Sequence, residues 1–158
     1  MMRKFPGARS MVIAAALLCM GLASAAPATE PLTISNAWVR APAPGQKVAG
    51  AYMELVSDAT VTLVGASSPA AARVELHSMA LDAGVMRMRP VENIALPPGK
   101  TVKLEPGGLH IMLLELKRPL KEGDKVPLAL SIRHAGTATQ VKVEATVRAA
   151  ASMPQHSH

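Results

Sequence analysis

From Leu32 to Arg148 apolar and polar residues trade places with a period of two. In Val141-Lys142-Val143-Glu144-Ala145 the aliphatic side chains take one set of alternate positions and the charges the other, the pattern of a strand with one face buried and one wet. The same alternation, or a short run rich in Val, Leu and Ile, predicts strands at Leu32 to Arg40, Val48 to Val56, Val61 to Ala66, Arg73 to Met79, Val85 to Arg89, Thr101 to Leu104, Leu109 to Leu116, Val126 to Arg133 and Thr139 to Arg148. Between them, Ala41-Pro42-Ala43-Pro44-Gly45, Pro97-Pro98-Gly99, Pro106-Gly107-Gly108 and Glu122-Gly123-Asp124 are turn or breaker sequences. Arg133-His134-Ala135-Gly136 reads as a hairpin turn with His134 solvated. One helical turn at Ser68 to Ala72 is the most helix the pattern allows. Short strands at even spacing, with no repeat, predict an all-β single domain, a β-sandwich or Greek-key barrel.

The first residues follow a different rule. Arg3, Lys4 and Arg9 precede an apolar run from Met11 to Leu22, and Ala23-Ser24-Ala25 supplies the small residues of a signal peptidase site. The run is shorter than the roughly twenty residues of a membrane-crossing helix. Residues 1–25 are therefore expected to be a cleaved export signal, 26–148 the β-domain and 149–158 a flexible tail, the product being a periplasmic monomer with no stable membrane insertion. Leu17 and Leu18 leave no small residue beside Cys19, which argues against lipidation.

Cleavage lowers the formal charge from +6 to +3, because three cations leave with no acid. The remaining Lys and Arg are interspersed with acids, and only Trp38 and Tyr52 remain as aromatics. Stacking platforms for nucleic acid are absent. The chain's single cysteine is also lost, so the exported domain has neither a disulfide nor a thiolate, and its chemistry must use other donors.

Those donors are imidazoles and thioethers. His110 and Met112 stand two apart in one predicted strand and so share a face, just after the Pro106-Gly107-Gly108 turn, where side chains are expected to reach an open surface. In Arg73-Val74-Glu75-Leu76-His77, Val74 and Leu76 claim the buried face and leave Glu75 and His77 on the other. Met86 and Met88 also share a face, and either is a possible thioether donor. Imidazole with soft sulfur selects Cu(I) over zinc, calcium or magnesium. Because the donors are neutral, they offer no carboxylate to favour Cu(II). A thioether also survives in an oxidising compartment that would convert a thiol pair to a disulfide.

The intervals are distinctive: His77, ten residues, Met88, twenty-one residues, His110, one residue, Met112. This arrangement resembles the periplasmic copper chaperone family called PCuAC. Asn36-Ala37-Trp38-Val39-Arg40, Gly50-Ala51-Tyr52-Met53, Met88-Arg89-Pro90-Val91 and Pro106-Gly107-Gly108-Leu109-His110-Ile111-Met112-Leu113 are similar to that family's pattern as well, so the likeness spans nearly the whole exported domain. Ser78 stands where the family has an optional Met, with Met79 one residue later. The resemblance implies a cupredoxin-like β-fold and a Cu(I) site of His77, Met88, His110 and Met112. It also implies delivery to cytochrome c oxidase subunit II, at its dinuclear copper site, or to another copper chaperone. Met79 and Met86 are candidate auxiliary donors, and Met153, His156 and His158 in the tail are candidates for a second copper, as Cu(II).

Other functions lack their apparatus. No nucleophile elbow, metalloprotease helix motif or phosphate loop is present, so an enzyme is not expected. A blue electron-transfer site needs a Cys ligand that the exported domain lacks. A copper buffer without a dedicated acceptor would use the same ligands as a chaperone.

Overall fold

The computed structural model describes residues 31–149. The export signal, Cys19, and the tail donors Met153, His156 and His158 lie outside the described residues. The strands are β1 (Leu32–Arg40), β2 (Val48–Ser57), β3 (Val61–Ser67), β4 (Ala71–Asp82), β5 (Val85–Pro90), β6 (Ile94–Leu96), β7 (Thr101–Leu104), β8 (His110–Leu116), β9 (Lys125–His134) and β10 (Thr137–Arg148). Every strand predicted from alternation is present, most lengthened by a residue or two. β6 was not predicted: three residues before Pro97-Pro98-Gly99 are too few to display a period. Ser68 to Ala72 is a turn and the start of β4, with the Ala71 N–H donating to the Ser68 carbonyl at 3.4 Å.

The strands join in the order β5-β4-β8-β2-β1-β10-β9-β3-β6, with β7 also paired to β2. Strand β2 is shared. Val48 to Ala51 pair with β8, and Met53 to Val56 pair with β7. The first and last strands lie side by side in parallel, Trp38 to Arg40 against Thr146 to Arg148. The path folds over on one core, in which Leu76, Ile111 and Leu113 from the β4-β8 half meet Leu63, Leu130 and Ile132 from the β3-β9 half. Burying each such side chain contributes about 1.5–3 kcal/mol. This is the all-β sandwich expected from the pattern.

A bulge in β1 decides what lies on the other face. Ser35 pairs with Glu54, but Trp38 pairs with Tyr52, so one extra residue is accommodated around Asn36, whose φ is 51°. Strand faces alternate with each residue, so this insertion turns Trp38 and Arg40 away from the core and places Val39 in it, fully buried. Trp38 therefore shares the outer face with Tyr52. That face continues across β8, β4 and β5.

Candidate metal centre

Register brings the two predicted imidazoles together. On β4, Val74 and Leu76 pack against or within the core, which leaves Glu75, His77 and Met79 on the outer face. His77 is paired directly with His110 of β8, and their ring centroids are 5.7 Å apart. The Tyr52 ring lies on the opposite side of His110 at 6.3 Å and stacks obliquely on Trp38 at 4.5 Å. The result is a row of rings running across four adjacent strands.

Each histidine is held by one nitrogen and leaves the other unused. His110 Nδ1 lies 3.0 Å from the Gly108 carbonyl. A carbonyl only accepts, so Nδ1 carries the proton and Nε2 keeps its lone pair. His77 Nε2 lies 2.9 Å from Glu75 Oε2, and the other oxygen of that carboxylate, Oε1, lies 3.7 Å from the Arg73 guanidinium. By the same reasoning His77 carries its proton on Nε2, with the lone pair on Nδ1. His110 Nε2 and His77 Nδ1 are both buried and, among the described residues, have no hydrogen-bond partner. Buried nitrogens without partners are rare and costly, and a pair of lone pairs in one place is what a metal ion would satisfy.

The sulfur donors flank this pair. Met112, half-buried, stands two residues beyond His110 on the same face and pairs with Glu75, which makes it a diagonal neighbour of His77. Met88 pairs with Met79, two residues beyond His77 in the other direction, and is a second diagonal neighbour. At ordinary strand spacing, Met88 and Met112 are thus about 16 Å apart, on opposite sides of His77. Met79 is half-buried, with its N–H donating to the Gly108 carbonyl at 3.1 Å. Met86 lies on the same face of β5, opposite Leu81. Among the described residues no group of three His, Cys, Asp or Glu is placed to hold a metal, and the thioethers are the soft donors nearest the two imidazoles along the strands.

One expectation needs correction. The turn before His110 was read as the entrance to an open site, yet His110 is only 3% exposed. The reason is that β8 is an interior strand between β4 and β2, whose His77 and Tyr52 rings flank His110 on either side. Sequence reasoning also missed three contributors. Glu75 orients His77, and its alternation with His77 was the available signal. Burial raises the pKa of Tyr52, with the Arg40 guanidinium pulling the other way, so its phenol stays neutral beside His110. Gly50 makes room for that phenol: a Cβ there would meet the Tyr52 hydroxyl at 2.5 Å. His134, predicted as a solvated turn residue, is exposed at the β9–β10 turn.

A family model described as "Putative lipoprotein LpqE-like" matches residues 32–147. The chain belongs to the LpqE-like family. A relative, "Putative lipoprotein Lxx21020" of Leifsonia xyli subsp. xyli (strain CTCB07), is 35% identical to this LpqE-like chain over 105 residues, 66% of this chain and 63% of that protein. The match therefore spans a little under two thirds of the relative's length. Among solved structures, the copper-bound PCuAC domain from PmoF2 is 29% identical with a TM-score of 0.63, covering 77% of the LpqE-like chain and 96% of that domain. The Cu(I) form of DR1885 from Deinococcus radiodurans is 36% identical with a TM-score of 0.54, covering 80% and 81%. The resemblance to PCuAC domains stands, and both of these neighbours are copper-bound forms. Among the described residues of the LpqE-like chain, no helix is long and apolar enough to cross a membrane.

Proposed function

We propose that this protein is an exported, periplasmic copper chaperone that carries one Cu(I) on His77, Met88, His110 and Met112 and releases it to an acceptor protein, the dinuclear copper site of cytochrome c oxidase subunit II being the expected recipient. The observation that carries this reading is the pair of buried, unpartnered nitrogens, His110 Nε2 and His77 Nδ1, on rings 5.7 Å apart. Both present lone pairs because the opposite nitrogen of each ring is bonded to an acceptor. Such outer partners fix the tautomer and orientation of a metal-binding imidazole. Met112 adds a soft donor from the same strand. Met88 adds another from β5, which among the described residues is an edge strand held only by β4; that hairpin must lean toward His110 for both sulfurs to meet one ion.

Two neutral imidazoles and two thioethers leave the charge of the site at that of the ion, and soft sulfur favours the reduced state. Release needs no redox step. An acceptor thiolate displaces the donors one at a time, and the edge-strand sulfur is the first to yield. Export is supported by the basic and apolar leader and by the lipoprotein descriptions of the family and its relative, and loss of residues 1–25 belongs to the same proposal.

Titration of the apoprotein with Cu(I) in the presence of a chromophoric Cu(I) chelator is the test. One tightly held ion per domain is expected, weakened at least a hundredfold in the His110→Ala, Met112→Ala double variant. Full affinity in that variant refutes the site. Mixing the loaded protein with a soluble subunit II fragment tests delivery, and the absence of net transfer leaves a copper buffer.

A further inference from the structure

The β4–β5 hairpin carries an apolar surface that packing leaves bare. The turn is Ala83-Gly84, and the strands pair Met79 with Met88, Leu81 with Met86 and Asp82 with Val85. All of β5 is exposed, Met86 to 49% and Met88 to 47%, and Leu81 of β4 is exposed to 70%. Alternation separates two faces. One presents Met79, Leu81, Met86 and Met88 and runs directly into His77. The other presents Asp82, Arg87 and Arg89, tied together by ion pairs of 3.5 and 2.7 Å to the Asp82 carboxylate. These charges, one carboxylate between two guanidiniums, are confined to the face that points away from the imidazoles, which leaves the site-side face of the hairpin uncharged.

Three sulfurs are adjacent on that uncharged face. Met79 and Met88 are direct cross-strand neighbours, with Cβ atoms about 5 Å apart, and Met86 lies one pair farther along, diagonal to Met79. Methionine has three rotatable bonds and a polarisable sulfur, so three thioethers at this spacing can converge on one ion without moving the backbone. Such a set is uncharged and soft and selects Cu(I) against Cu(II), zinc and hard cations. Met79 is also two residues from His77 on the same strand face.

We propose that Met79, Met86 and Met88 form a surface landing site for Cu(I), from which the ion moves inward to the histidine pair. The proposal rests on the Cu(I) reading above. It adds an outer, all-thioether site with Met88 common to both positions. In the transfer step the Met79 and Met86 sulfur–copper bonds break as bonds to His77 Nδ1, His110 Nε2 and Met112 form. The ion keeps its single positive charge, nothing is oxidised or reduced, and no proton moves, because both accepting nitrogens already carry lone pairs. The location accounts for a feature packing does not explain, large apolar side chains left in water on the edge strand nearest the imidazoles.

The test uses the full exported chain with methyl-labelled methionine and Ag(I), a redox-inert substitute for Cu(I). In the His77→Ala, His110→Ala double variant, which lacks the inner pair, Ag(I) is expected to shift the methyl resonances of Met79, Met86 and Met88 together at one equivalent. In the Met79→Leu, Met86→Leu double variant, which keeps all four inner donors, final Cu(I) affinity is expected to stay within about threefold of wild type while the stopped-flow rate of loading from a Cu(I)–chelator complex falls at least tenfold. Unshifted methyls in the first variant, or an unchanged loading rate in the second, overturn the landing site. Failure of the inner site would appear instead as unchanged Cu(I) affinity in the His110→Ala, Met112→Ala variant. The two readings therefore fail separately.

Discussion

Gly50→Ala probes how tightly the row of rings is fixed. Gly50 is paired with Met112 across β2 and β8, and the phenol of Tyr52 lies over it. An added Cβ would sit 2.5 Å from the Tyr52 hydroxyl, 2.9 Å from the adjacent ring carbon and 3.3 Å from the next. Relief requires the ring to move by about 1 Å, yet Trp38 stands 4.5 Å from it on one side, His110 at 6.3 Å on the other, and the Arg40 guanidinium at 5.8 Å. A rigid ring so enclosed cannot step aside as a flexible chain end would. Overpacking of this kind costs about 1–3 kcal/mol. For a domain of this size, each kcal/mol is worth roughly 3–6 °C of melting temperature, so a fall of roughly 5–15 °C is expected. Thermal unfolding followed by Trp38 fluorescence reads both the stability and the disturbed stacking, and Ag(I) titration reads the displacement passed to His110. Tyr52→Phe removes the closest atom but not the ring carbon at 2.9 Å, so in the Gly50→Ala background it should recover part of the loss and not all of it. An alanine variant as stable as wild type, with an unchanged Trp38 emission spectrum, would show that the ring is free to move and would refute the reasoning.

Ala83 holds φ at 50° in the two-residue turn of the β4–β5 hairpin, a conformation that costs an ordinary L-residue about 1–2 kcal/mol and that asparagine tolerates. Ala83→Asn is therefore expected to stabilise the domain by about 1 kcal/mol in urea unfolding, and any destabilisation would contradict the turn geometry. The Asp124 carboxyl is held below the usual carboxylate range, first by the Lys121 backbone N–H at 3.0 Å and then by the Arg118 guanidinium at 2.9 Å. A depressed folded pKa adds stability above the unfolded value of about 3.9 and loses it as pH falls through the folded one. Wild type should accordingly exceed Asp124→Asn in melting temperature near pH 6 and converge with it as pH falls through the depressed folded value; a gap independent of pH would rule this linkage out.

The fold was legible because alternation is a local property. Val126, Leu128, Leu130 and Ile132 declare their buried face without knowledge of any partner strand. β6 was invisible for the opposite reason, since Ile94-Ala95-Leu96 gains meaning only when paired with β3. The same division runs through the site. That His110 and Met112 share a face, as do Glu75 and His77, follows from spacing within one strand. That His77 faces His110 depends on the β4–β8 register, which no local pattern encodes. The burial of His110 depends on strand order. The bulge at Asn36, which turns Trp38 outward, has no sequence signature beyond an Asn able to accept positive φ. That Met86 and Met88 share a face follows from their spacing, but the adjacency of Met79 to both required the hairpin register.

The aliphatic interior and the imidazole row occupy opposite faces of the same strands, and this separation has a consequence for how the cell can use the molecule. Proteins that fold around a metal are lost when the metal is scarce. On the proposed reading, the apolar side chains that hold the sheet together make no demand on the ion, so a chelator would strip the cargo and leave the carrier standing. Scarcity then costs the cell ions without costing it carriers, and each emptied copy is ready for reuse as soon as supply returns.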